Sequence, residues 1–124
     1  MTAEPFVSFQ RREGILRVEV EGHSSLANTV NYWHAIEDEV RREPVPAIML
    51  IDNLRGPELT AEHWRGLVEA LSGHGLEAVR IAHVKPRGLQ QIEYCELYAR
   101  EAGFQSRVFD SEVTARLWLR YGEG

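Results

Sequence analysis

Ala47-Ile48-Met49-Leu50-Ile51 is an unbroken apolar run, preceded by Pro44 and Pro46 and followed by Asp52-Asn53. A short run without alternation, opened by prolines, fits a central strand covered on both faces, because neither side of it meets water. Such a strand needs flanking strands and helices on both sides, and the rest of the chain has patterns for both. Leu16, Val18 and Val20 alternate with Arg17, Glu19 and Glu21, a period of two that makes a strand wetted on one face. Val7 and Phe9 form a first short strand ahead of Gly14. Ala78 to Val84 and Arg107 to Phe109 read as two more strands.

Helical spacing fills the intervals. Ser24 or Ser25 caps a helix running to about Arg42, with Leu26, Val30, Trp33, Ile36 and Val40 on one stripe and Glu37/Arg41 and Asp38/Arg42 placed to pair one turn apart. Thr60 caps a second helix that buries Trp64, Leu67, Val68 and Leu71, and Gly73 and Gly75 stop it. A third, from about Gly88, aligns Ile92, Cys95, Ala99 and Ala102. Asp110 or Ser111 caps a fourth that carries Val113, Leu117, Trp118 and Leu119. The predicted fold is therefore α/β in the order β-β-α-β-α-β-α-β-α, with about five strands in a mixed, mostly parallel sheet, the first pair antiparallel, and about four helices. The 124 residues make one domain, 1–124.

Charge narrows the partners. Fourteen basic residues against nineteen acidic ones give a net charge of -5, which repels nucleic acid and anionic membrane surfaces. No apolar run approaches the ~20 residues that span a bilayer, and the first residues lack a signal-peptide layout, so the expected compartment is the cytoplasm. The single cysteine, Cys95, falls on an apolar helical stripe and agrees with a reducing environment.

Catalytic and cofactor chemistry each requires particular residues in a particular setting. Gly73-x-Gly75-x-x-Ala78 resembles a dinucleotide fingerprint, but it follows a helix and precedes a strand, the reverse of what phosphate binding at a helix start needs. The five histidines have no metal-ligand spacing, and His83 reads as a core histidine satisfied by one hydrogen bond. The carboxylates Glu37, Asp38 and Glu39 read as a solvated helix face. No Gly-x-Ser-x-Gly elbow presents a nucleophile. The expectation is a non-enzyme without metal or cofactor.

Open α/β sheets bind ligands beyond the carboxyl ends of their strands, which directs attention to the polar turn Asp52 to Leu59 and to the loop from Lys85 to Gly88. Asp52, Asn53, Arg55, Thr60 and Lys85 are the candidate partner- or ligand-binding residues. The helix start behind Thr60 offers unpaired amides to an anion or a phosphorylated hydroxyl. Tyr94 and Tyr98, beside the third helix's stripe, and the surplus apolar residues of the last helix are candidate cover for a pocket or a second subunit, so a homodimer is expected.

The segments IMLIDNLRG at Ile48 to Gly56, LTAEHWRGL at Leu59 to Leu67, VRIAHV at Val79 to Val84 and RVFDSEVTARLWL at Arg107 to Leu119, taken in this order of elements, resemble the STAS domain and its SpoIIAA-like branch. The resemblance spans Ile15 to Leu119 and implies a bacterial regulatory module that binds a protein partner through the loop after the central strand and the helix start behind it. In STAS antagonists a serine in that turn is phosphorylated. Here Asn53 to Thr60 contains no serine, which leaves Thr60 as the candidate acceptor, provided that its hydroxyl is not spent capping the helix. The similarity of SpoIIAA-like proteins to CRAL-TRIO lipid-binding modules implies the alternative, a carrier or sensor of a small apolar or anionic ligand, lipid-like or nucleotide.

Overall fold

The computed structural model describes residues 6–56, 59–86 and 93–122. Among them are five strands in one sheet and four helices: β1 (Phe6–Arg12), β2 (Ile15–His23), α1 (Leu26–Arg42), β3 (Ala47–Arg55), α2 (Ala61–Leu71), β4 (Arg80–Val84), α3 (Glu93–Glu101), β5 (Gln105–Phe109) and α4 (Glu112–Tyr121). The strands lie side by side in chain order. β1 and β2 are antiparallel, and β2, β3, β4 and β5 are parallel neighbours.

Helices that join sequential parallel neighbours with one handedness fall on one face of the sheet. Side chains of β2 and β3 that point to that face, Leu16, Val18, Val20, Ile48 and Leu50, pack with Tyr32 and Ile36 of α1, Trp64 and Leu67 of α2 and Ala99 of α3 in the main core. Burial of each large aliphatic side chain there contributes about 1.5–3 kcal/mol. The alternate β3 residues Ala47, Met49 and Ile51 face the other way and meet Ala115 and Leu119 of α4. β3 is therefore covered on both faces, as its unbroken apolar run requires.

Several local expectations need correction. The stretch from Asp52 is not a turn as far as Arg55: β3 continues through it because β2 is long enough to pair Val20 to His23 with Asp52 to Arg55. β4 starts at Arg80, since Leu76–Ala78 forms a 3-10 turn entered through Gly75 in the left-handed region (φ 99°). Glu37 does not lie on a solvated face. It is buried and its Oε2 lies 2.6 Å from Nδ1 of His74, which reaches α1 from the loop after α2. Asp38 and Glu39 instead pair with Arg41 and Arg42. The predicted packing of Ile92, Cys95 and Tyr94, and the start of the third helix near Gly88, lie outside the described residues or side chains. Among the described residues no helix is long and apolar enough to cross a membrane.

Candidate functional site at the carboxyl ends of the strands

Strand phase decides where the candidate residues point. Asp52 follows Ile48 and Leu50 in phase, and Lys85 follows Ile81 and His83, so the parallel register of β3 on β4 brings Asp52, His83 and Lys85 together on the face covered by α1–α3. Asp52 Oδ2 lies 2.9 Å from His83 Nε2, and Asp52 Oδ1 accepts from Lys85 Nζ at 3.3 Å and from the Leu54 amide at 3.1 Å. Lys85 also donates to the Leu54 carbonyl at 3.4 Å. An ionised carboxylate only accepts, so Nε2 is the protonated nitrogen of His83.

The three side chains are almost sealed from solvent, with exposures of 4% for Asp52, 1% for His83 and 2% for Lys85. Trp64 of α2 sets its ring edge-on to the imidazole, 5.9 Å between centroids. Burial alone would push the Asp52 carboxyl up, but the His83 hydrogen bond, the charges of His83 and Lys85 and the Leu54 amide more than reverse this and hold it below its ordinary range. His83 is thus a buried core histidine, as its strand phase predicts, hydrogen-bonded to Asp52 as one arm of a buried polar network. The network fastens β3 to β4 beneath the start of α2.

The other candidates are dispersed. Asn53 has the opposite phase and its side-chain amide reaches Glu19, 3.4 Å away, on the α4 face. Arg55 is exposed at the end of β3, where its carbonyl accepts from the Ser24 amide. The Thr60 hydroxyl accepts from the His63 amide at 3.1 Å, and His63 Nδ1 answers toward the Thr60 amide at 3.5 Å, a capping box. The hydroxyl is therefore engaged as an acceptor in capping the helix start.

Two concavities flank this end of the molecule. One, of about 660 Å³, is lined by Glu21, Gly22, Asn53, Arg55, Lys85 and Pro86, with Asp52 and Leu54 also contributing, and its charges are of both signs. The second is a groove of about 270 Å³ between α1 and α2, with Leu26, Val30, Gly66, Leu67, Ala70 and Leu71 as its apolar walls and His34, Glu62 and His63 at its rim. The apolar space inside the main core amounts to only about 30 Å³. Nothing in the sequence marked the groove as a site, because it arises from the separation of two helices. Its one local sign is Gly66, a glycine in a helix interior where nothing lies within 4 Å of the place a Cβ would take.

Among the described residues no group of three or more metal-ligating side chains assembles. The chain matches no known protein-family model and no curated protein.

Proposed function

We propose that the chain is a non-enzymatic regulatory module of STAS-like, SpoIIAA-like design that binds a protein partner across the start of α2. The observation that carries this reading is the α1–α2 groove, which opens beside the capped helix start and offers an apolar floor with a polar rim, the anatomy of a surface that receives a partner's side chains. Arg55 stands exposed as the last residue of β3, next to the segment that the STAS resemblance assigns to partner contact. The Asp52–His83–Lys85 network ties the ends of β3 and β4 together beneath the start of α2. The sequential β-α order, with β1 antiparallel to β2, supports the family likeness.

The test is capture of partners from bacterial extract on the immobilised protein and on two variants, Gly66→Gln, which fills the groove, and Arg55→Glu. A partner that binds the parent and a Glu101→Lys control on α3, but neither Gly66→Gln nor Arg55→Glu, supports the reading. Equal capture by all four proteins contradicts it.

The second reading, carriage of a small ligand, is favoured by the polar cleft at Arg55 and Lys85. Its lipid-like form needs an enclosed apolar volume nearer 300 Å³ than the 30 Å³ of the core. A mass excess in native mass spectrometry that disappears on mild denaturation would favour this second reading.

A further inference from the structure

The face of the sheet opposite the α1–α2 groove carries a second anomaly. α4 buries Ala115 and Leu119, yet Val113, Leu117 and Tyr121 recur at every fourth position with 67%, 50% and 74% of their surface exposed. Isolated exposed apolar residues mean little, but a continuous stripe along one helix is the mark of a contact surface. Beside it on the same helix run Arg116 and Arg120, which with Arg12 and Arg17 from β1 and β2 line a cleft of about 450 Å³.

The electrostatics of this cleft run against those of the chain. The molecule carries a net charge of -5, whereas the cleft lining sets four guanidinium groups against the carboxylates of Glu13 and Glu112. Glu112 is held by Arg17 through two hydrogen bonds of 3.0 Å and by Arg116 at 3.0 Å, and Glu13 is held by Arg120. Arg17 further bonds Glu19, which lies just outside the lining, at 2.9 Å. Arg12 is exposed and forms no ion pair among the described residues. Arginine and tyrosine are residue types enriched at interface hot spots.

We propose that this face docks an amphipathic acidic helix of another protein, its apolar side chains on Val113, Leu117 and Tyr121 and its carboxylates on Arg12, Arg116 and Arg120. Charge complementarity selects this occupant over a second copy of the chain. A twofold contact would set the arginine row against itself. This surface is independent of the α1–α2 groove and stands whether or not that groove binds anything.

The probe is a fluorescent helical peptide with leucines at i, i+3, i+4 and i+7 flanked by glutamates, compared with a twin in which lysines replace the glutamates. Anisotropy titrations of the full chain should show the acidic peptide binding at least about tenfold more tightly than the twin, with the difference shrinking as salt is raised. Leu117→Asp and the double variant Arg116→Glu, Arg120→Glu should each weaken the acidic peptide at least about tenfold, and Gly66→Gln should leave it unchanged. Circular dichroism checks folding, and Arg12→Glu, at an exposed strand position, carries the same prediction should Leu117→Asp unfold. Equal affinity for the two peptides, no binding of the acidic one, or sedimentation as a dimer that Leu117→Asp dissociates would each overturn the proposal.

Discussion

At the scale of single residues, Asp52 has the largest consequences, because it is the counter-ion of a buried lysine and the hydrogen-bond partner of a buried histidine. Replacing it with alanine removes the carboxylate partner of the buried Lys85 charge, and breaking a buried pair by removing one partner costs about 3–5 kcal/mol, a large part of a small domain's stability. Urea unfolding of Asp52→Ala measures this. The pH dependence has a definite sign: a carboxyl whose folded value lies below its ordinary 3.8 stabilises the protein fully above that value and loses its contribution as pH falls through the lower folded one. The urea midpoint of the parent should therefore drop more steeply below about pH 4 than that of Asp52→Asn. At Thr60 the capping geometry implies that Thr60→Ala costs about 1 kcal/mol and that Thr60→Asp, which also caps, costs much less. Asp52 and Lys85 were legible as neighbours because both stand at the carboxyl ends of adjacent central strands. Their partnership with His83 was not, since it depends on a cross-strand register that a single sequence does not reveal.

At the scale of elements, α2 combines two glycine roles with opposite predicted effects. Gly66 sits inside the helix with open space around it, so Gly66→Ala should stabilise by about 0.5–1 kcal/mol in thermal or urea unfolding while narrowing the groove only slightly. Gly75, just beyond the helix at φ 99°, should respond in the opposite direction, with Gly75→Ala losing about 1–2 kcal/mol. The helices were legible from their stripes and caps: Ser25, Thr60 and Ser111 each accept a hydrogen bond from the third amide of the helix they precede. The true length of β3 was less so. The polar letters Asp52, Asn53 and Arg55 look like a turn, but the pairing with Val20 to His23 outweighs their local preference. Likewise Glu37 belongs by spacing to a charged face, and only the long-range approach of His74 makes it a buried acceptor.

At the scale of the whole molecule, the sequential sheet leaves three helices on one face and α4 alone on the other, so the two faces differ in thickness and in chemistry. This asymmetry produces both proposed surfaces, since the crowded face leaves a groove between α1 and α2 and the sparse face leaves α4 with an uncovered stripe. The element order was legible because periodicity changes cleanly between two and 3.6 along the chain. The grooves were not, because helix separation is set by packing across the core. The most direct test of the partner-binding claim is site-specific photo-crosslinking in bacterial cells, with the crosslinker placed in turn at Ala70 in the groove, Glu62 at its rim and Glu101 on α3. The account predicts one crosslinked partner from Ala70 and Glu62, absent from Glu101 and abolished by Gly66→Gln. The same partner crosslinked from Glu101 but from neither groove position would contradict it.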